Sequence, residues 1–203
     1  IVPGKPDESL LIQAIRHENG LKMPPDGKLA AGQADALAVQ GAVPPYAITN
    51  VAIDHVPATI HLPTGRMRGG ADAMTAFCTE SFIDELASRH GREPLSYRIS
   101  MLGSDPRMVA CLQAAGRLAQ WNGGLDQSGQ GLACHRMDDS RSSGRIACIA
   151  TARAAEGGVR VANITAAVDI GRIVNIDLAR QQIEGGLIFG LAMAVGASTG
   201  YLD

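Results

Sequence analysis

Residues 144–170 read GRIACIATARAAEGGVRVANITAAVDI, and this stretch decides the fold class of the chain. It contains two apolar runs rich in Ile, Val, Ala and Thr, separated by the segment AEGG with the glycine pair Gly157 and Gly158. β-Branched residues favour strands, and a glycine pair between two such runs is typical of a hairpin turn. The stretch therefore predicts two antiparallel strands.

Helical patterns precede this hairpin. A long helix is predicted over residues 71–90, and Gly91 follows as its stop signal. The apolar side chains that we expect on its buried face lie four residues apart: Met74, Cys78, Phe82 and Leu86. The acids of this helix fall mostly on other sides, where we expect them to be solvated or paired: Glu80, Asp84 and Glu85.

Two shorter helices are predicted near residues 95–102 and 107–119, because Pro94 and Pro106 occupy typical helix starts. Residues 176–195 are apolar and contain three glycines, Gly185, Gly186 and Gly190, which suggest that another group packs close to the backbone there. Helices that accompany antiparallel strands predict an α+β fold.

Composition excludes several classes of partner. The chain has 203 residues and a net charge of -2, and its Lys and Arg residues are not clustered, so we expect no nucleic-acid partner. The longest apolar run, residues 185–199, is shorter than the roughly 20 residues of a membrane span and is interpreted as a core helix.

The four cysteines lie far apart without a CxxC pair and are expected to be buried or reduced thiols.

Residues 122–135, NGGLDQSGQGLACH, are predicted to form a glycine-rich loop. Its amides could cradle a phosphate, although it lacks the lysine of a P-loop, or it could be a structural turn. His135 with Asp138 and Asp139 is compatible with acid–base chemistry and equally with a polar surface loop.

Residues 1–45 have a different character, and a domain boundary is predicted near Pro45. Two short predicted helices flank KMPPDGK, whose prolines fix the backbone after Met23. This segment resembles the C-terminal half of a c-type cytochrome domain, and the resemblance implies Met23 as an axial ligand of haem iron. That family attaches haem through a CxxCH motif, which is absent from the sequence, so we do not expect haem c and interpret Met23 as a packing side chain.

The turn RMRGG, residues 66–70, has the chemistry of an anion site. Arg68 is a planar donor, and Gly69 and Gly70 after it would let a ligand approach the backbone. The predicted helix begins here with the positive end of its dipole. A plain turn with a surface arginine explains the same residues, and the pattern by itself leaves both interpretations open.

A second resemblance rests on longer stretches of sequence. The stretches RGGADAMTAFCTESFIDELASRHGREPLSYRISMLGSDPR, SGQGLACH and AAVDIGRIVNIDLARQQIEGGLIFGLA are similar, in the same order, to the molybdenum-binding large subunit of the xanthine dehydrogenase and aldehyde oxidase family. Within that family, these stretches are most similar to the isoquinoline 1-oxidoreductase-like branch. The resemblance covers residues 46–203 and implies part of a molybdopterin-binding domain, preceded by the short all-α cytochrome c-like segment.

The resemblance implies a molybdenum ion on a pyranopterin cofactor. Family members hydroxylate N-heteroaromatic rings or aldehydes with oxygen from water, and an iron–sulfur small subunit or domain passes the electrons to an acceptor. By resemblance, the cofactor lies at Arg68, Gly69 and Gly70. Packing roles beside that site are implied for the VDIG and QIEGG elements: Asp169, Gly171, Gln182, Glu184, Gly185 and Gly186.

Departures from the family limit what we expect of this chain. The catalytic glutamate of the family belongs to a GE-type motif that does not occur before Asp203, and Glu184 is not that residue. We therefore assign no catalytic residue and expect the chain alone to be inactive. Two alternatives stay open: an electron-transfer module that uses Met23, and a noncatalytic fusion fragment, which the abrupt junction GAVPPYA indicates. Relatives that deliver electrons to cytochrome c often work in the periplasm, which we favour over the cytoplasm.

Overall fold

A computed structural model describes residues 38–56, 67–123, 129–138, 143–156 and 158–196. The cytochrome-like helices and Met23 lie outside these residues. The described part contains four helices and three strands, in this order: α1 (Asp72–Arg89), α2 (Pro94–Met101), α3 (Pro106–Leu118), β1 (Gln130–Asp138), β2 (Ser143–Ala155), β3 (Gly158–Asp169) and α4 (Ile176–Ala194). This mixture confirms the predicted α+β class.

The three strands form one antiparallel sheet in the order β1-β2-β3. In the hairpin of β2 and β3, Ala155 pairs with Gly158, so the connection consists of Glu156 and Gly157. The predicted antiparallel pair is confirmed, and Gly157 itself lies outside the described residues.

The predicted glycine-rich loop is wrong over its second half, because β1 begins at Gln130. The backbone of β1 pairs with β2 from Gln130–Thr151 to Asp138–Ser143, which satisfies its donors and acceptors in spite of the glycines. Gly129 precedes the strand with φ +65°, and a Cβ atom there would collide with the carbonyl oxygen of Ala152. Glycine is therefore required at this entry to the sheet.

The helix starts agree with the proline signals. Pro94 and Pro106 are the first residues of α2 and α3. The side chain before each proline caps the helix: Glu93 accepts two backbone N–H groups, each at 2.7 Å, and Asp105 accepts one at 3.1 Å. Asn175 caps α4 in the same way. These local signals mark the helix starts, and distant residues also hold two of the caps: Trp121 Nε1 donates to Glu93 and Arg145 Nε donates to Asp105.

The hydrophobic core lies between α3 and the sheet. One face of α3 is buried and contributes Met108, Leu112 and Ala115, each with 0% exposure. The inward residues of β2, Ala147 and Ile149, belong to the same cluster. The alternation of buried and partly buried positions along β2 is that of a sheet covered on one face.

The predicted buried face of α1 is wrong. Met74 and Phe82 are 67% and 58% exposed, Cys78 is also exposed, and Leu86 is only partly buried. The buried residues of α1 are instead Asp72, Glu80, Ile83 and Ala87. Polar contacts made by Asp72 and Glu80 turn this face inward, which the spacing of apolar residues alone could not indicate.

The segment after β3 forms a helix, α4, but its expected placement in the core is wrong for the described residues. No residue of α4 is buried, and Ile188 is 67% exposed. None of the helices in the described part is both long and apolar enough to cross a membrane. The helix therefore presents an apolar surface, with the side chain of Arg68 against it.

Candidate functional site

Residues 67–70 form the turn that leads into α1. The Gly70 amide donates to the Met67 carbonyl at 3.0 Å. Gly69 and Gly70 have φ values of +89° and +56°, in the left-handed region that side-chain-bearing residues rarely adopt. A Cβ atom at either position would meet nothing nearer than 3.7 Å. The glycines thus serve the backbone conformation and leave that backbone open to approach.

The Arg68 side chain lies across α4. Its Cζ atom is 5.5 Å from the centroid of the Phe189 ring, a cation–π distance. Its Nη2 atom is 3.8 Å and 4.0 Å from the positions that Cβ atoms would take at Gly185 and Gly186. A Cβ atom at Gly185 or Gly186 would make an ordinary van der Waals contact with the guanidinium, so the approach close enough to require glycine that the sequence suggested is not found there, and Gly190 faces open space.

The guanidinium of Arg68 is exposed and makes no hydrogen bond or ion pair with another described residue. Its nearest described neighbours are an aromatic ring and two glycines, none of which neutralises its charge. Its planar set of N–H donors is consequently available to an anionic ligand.

Asp72 is a residue of this region that the sequence did not single out. Its carboxylate Oδ1 lies 2.9 Å from Nε2 of His135, and the two side chains are 11% and 20% exposed. His135 is in strand β1, and its side chain contacts Asp72; the side chains of Asp138 and Asp139, considered with it from the sequence, lie outside the described part of the chain. Asp72 could have been noticed in the sequence, because an acid in the first turn of a helix is stabilised by the positive end of the helix dipole.

A buried polar network joins α1, α2 and β1. Arg98 is fully buried and donates from Nε to Glu80 Oε2 at 3.0 Å and from Nη1 to Asp84 Oδ1 at 2.6 Å. Glu80 also accepts the Tyr46 hydroxyl at 2.7 Å and the Cys134 amide at 2.8 Å. Every oxygen of the Glu80 carboxylate therefore has a donor, which makes its burial tolerable. The expectation that the acids of α1 are solvated or paired agrees with the pairing of Glu80 and Asp84, but Glu80 lies on the buried face and not on another side of the helix.

The same network suppresses ionisation of its neutral members. Burial and the nearby Glu80 carboxylate raise the pKa of the Cys134 thiol to about 12. Burial, Cys134 and Glu80 likewise raise the pKa of the Tyr46 hydroxyl far above its usual range. Neither group is suited to act as a nucleophile or base near neutral pH.

Asp169 of the VDIG element has a structural role at the end of β3. Arg107 of α3 donates to both of its carboxylate oxygens, at 2.8 Å and 2.7 Å, and the Gly171 amide donates to Oδ1 at 2.9 Å. The hydrogen bonds from Arg107 hold the pKa of Asp169 well below its usual range. This pair joins α3 to the turn before α4. Gln182 and Glu184 are exposed on α4.

Within the described ranges, no three His, Cys, Asp or Glu side chains are grouped so that they could hold a metal ion. Met23, the haem-ligand candidate, lies outside those ranges. The described residues therefore offer one candidate binding feature that matches the sequence prediction, which is the Arg68 turn against α4.

Comparison with known proteins bears on what this feature binds. Residues 121–201, which include all of α4, match the family described as molybdopterin cofactor-binding domain. Residues 121–201 belong to that domain family. The family relationship predicted from the sequence is thereby confirmed, and the molybdenum–pterin cofactor predicted for the parent family is confirmed with it.

Two relatives extend the match beyond the molybdopterin-binding segment. The beta subunit of the isoquinoline 1-oxidoreductase of Brevundimonas diminuta is 28% identical over 131 residues, covering 64% of this chain. One subunit of the nicotinate dehydrogenase of Pseudomonas putida (strain KT2440) is 31% identical over 163 residues, covering 72% of this chain. The chain spans only 17% and 14% of the length of these two relatives.

The Arg68 turn fits the anionic portion of a molybdopterin cofactor. A cation without an acidic partner in the described part lies against a helix of the molybdopterin-binding segment, beside the Phe189 ring and two glycines. The roles of Arg68, Gly69 and Gly70 as cofactor contacts stay a prediction, as does the haem-ligand role of Met23.

Proposed function

We propose that the chain is part of the large subunit of a molybdenum hydroxylase and forms one side of its molybdopterin site. The observation that supports this most strongly is the contact of Arg68 with the glycines of α4, inside the segment that matches the cofactor-binding domain. The two parts of the proposed domain division are residues 1–45 and residues 46–203.

Each residue of the turn has a distinct proposed role. The Arg68 guanidinium would donate hydrogen bonds to the anionic end of the cofactor. The positive φ values of Gly69 and Gly70 keep backbone amides at a surface that a ligand can reach. The guanidinium lies beside Gly185 and Gly186, at van der Waals distance from the positions of their missing Cβ atoms.

The proposed reaction of the assembled enzyme is hydroxylation of an N-heteroaromatic ring or an aldehyde with oxygen from water. When bound, the cofactor would supply the two-electron redox chemistry of that reaction. The relatives are named for isoquinoline and nicotinate, both of which are N-heteroaromatic, and this favours the heteroaromatic class. We assign no general base to this chain.

Further subunits are part of the proposal. Each of the two relatives is named as one subunit of its enzyme, which implies that other subunits complete it. We propose an iron–sulfur subunit as the electron-accepting partner and the periplasm as the compartment. Because the chain spans less than a fifth of each relative, we also propose that it has no activity by itself.

Cofactor content tests the binding role directly. The chain, its Arg68→Met variant and an Arg89→Met control would be produced in a host that makes molybdopterin, and molybdenum and oxidised pterin would be measured per chain. Arg89 is an exposed arginine at the end of α1 and is a matched control for loss of charge. Losing charge-assisted hydrogen bonds should lower the retained pterin about tenfold in Arg68→Met. Equal content in the two variants, or no pterin in the unsubstituted chain, would contradict the proposal.

Activity provides a separate check. The purified chain would be incubated with an N-heteroaromatic compound or an aldehyde and a dye as electron acceptor. We expect no turnover. Any turnover that depends on the chain would show that it carries a complete site, contrary to the proposal.

A further inference from the structure

The turn that carries Arg68 is connected to the first turn of α1, and the position of that first turn is set from two sides. On one side, Nε2 of His135 lies 2.9 Å from the Asp72 carboxylate. Since an ionised carboxylate only accepts hydrogen bonds, His135 is the donor. The contact joins α1 to β1 across 63 positions of sequence.

On the other side, Gly41 packs directly against the same carboxylate. A Cβ atom at Gly41 would collide with Asp72 Oδ1 and lie 2.8 Å from Thr75 Oγ1. The Thr75 hydroxyl is 3.2 Å from the carbonyl oxygen of Gln40, which it can donate to. Asp72 is thus held between the segment at Gln40–Gly41 and the sheet.

Arg68 itself has no comparable anchor in the described part of the chain. Its guanidinium contacts α4 only through the Phe189 ring and the two glycines. The turn that bears it contains two glycines with positive φ, which restrict the backbone less than other residues do. The place of Arg68 relative to α4 therefore depends on where α1 begins, and the Asp72 contact fixes that point.

We propose that His135 is a positioning residue that acts through Asp72: their hydrogen bond fixes the first turn of α1 and so holds Arg68 at the cofactor side of α4. Neither residue touches the ligand in this scheme. The significance of the placement rests on the proposed function of Arg68, but the placement itself can be measured without any cofactor.

Limited proteolysis measures the order of this turn. Trypsin cleaves after arginine and requires local opening of the chain, so cleavage at the Arg68–Gly69 bond reports the freedom of the turn. Cleavage after Arg160, in the hairpin of the sheet, serves as the internal reference. Both rates would be followed by mass spectrometry, and thermal unfolding would be followed through the fluorescence of Trp121.

The variants are His135→Ala, which removes the donor, and His135→Gln, which can still donate to Asp72. The control is His90→Ala, because His90 is exposed at the opposite end of α1 and its ring nitrogen contacts a carbonyl of its own helix. We expect the ratio of the Arg68 cut to the Arg160 cut to rise about tenfold in His135→Ala. The ratio should stay within about twofold of the unsubstituted chain in the other two variants.

The proposal is overturned if His135→Ala leaves the ratio unchanged, or if His135→Gln raises it as much as His135→Ala does. If His135→Ala abolishes the unfolding transition of Trp121, His135→Leu is used instead, since it keeps much of the side-chain volume and removes the donor. A raised ratio in that variant supports the proposal, and an unchanged ratio refutes it. If Arg68→Met retains as much pterin as Arg89→Met while His135→Ala still raises the cleavage ratio, the proposed function is refuted. The positioning role of His135 then still stands.

Discussion

Replacement of Arg98 by methionine tests the buried network that joins α1, α2 and β1. Arg98 is fully buried, and its main partner Glu80 is 4% exposed. Methionine fills much of the same volume but leaves the Glu80 carboxylate in the core without its cation. Breaking a buried ion pair from one side costs about 3–5 kcal/mol. Asp84 adds little because its side chain is 43% exposed and water replaces the lost contact.

The lower part of that range is the more reasonable figure for this site. Glu80 keeps two donors after the substitution, the Tyr46 hydroxyl and the Cys134 amide. A loss of about 3 kcal/mol corresponds to a decrease in Tm of roughly 6–12 °C for a chain of this size. Circular dichroism during heating, with Trp121 fluorescence as a second probe, would measure it.

Two further variants decide whether the network is the cause. Arg117→Met removes an exposed arginine at the end of α3 and should change stability by no more than about 0.5 kcal/mol. The double variant Glu80→Gln/Arg98→Met removes both charges but keeps an oxygen at position 80 that can accept from Tyr46 or Cys134, and it should recover a large part of the loss. A Tm of Arg98→Met within about 2 °C of the unsubstituted chain, or a double variant less stable than the single one, would refute this reasoning.

Three other predictions follow from particular residues. Gly129→Ala should be less stable than Gly91→Ala by about 1–3 kcal/mol in urea unfolding. Both glycines have positive φ, but only a Cβ atom at position 129 collides with a carbonyl oxygen of β2. Equal losses of stability in the two variants would contradict this. At pH 8, iodoacetamide should modify the exposed Cys78 in the native chain. It should leave Cys134 unmodified until urea is added, because burial raises the pKa of that thiol to about 12. Rapid labelling of Cys134 in the native chain would contradict its burial. The pKa values of Cys134 and Tyr46 are higher in the folded chain than their unfolded values, which are near 9 and 10. The stability that these groups contribute is therefore complete below their unfolded pKa values and should decrease as the pH rises from about 9 towards 12. A urea midpoint that does not change with pH across this range would refute the linkage.

The family follows from local sequence motifs, and the sequence was sufficient to predict it. The residues of the Arg68 turn were also named from the sequence, but their role as cofactor contacts stays a prediction. Strand and helix boundaries were likewise predictable wherever a signal is local. Prolines and side-chain caps set the starts of α2 and α3, and the glycine pair between two β-branched runs set the β2–β3 hairpin. The glycines of α4 suggested a group packed close to its backbone, but the Arg68 guanidinium lies no closer to Gly185 and Gly186 than an ordinary contact with a Cβ atom would allow.

Only the tertiary structure decided which face of α1 is buried. The apolar residues Met74 and Phe82 are exposed, whereas the acids Asp72 and Glu80 point inward. Their burial depends on donors from distant parts of the chain, Arg98 and His135 among them, and no periodicity within α1 encodes a partner on another element. The same reason explains why residue type indicated Arg68 as a candidate binding residue, whereas the contact between Asp72 and His135, which we propose holds its turn in place, was found only in the folded chain.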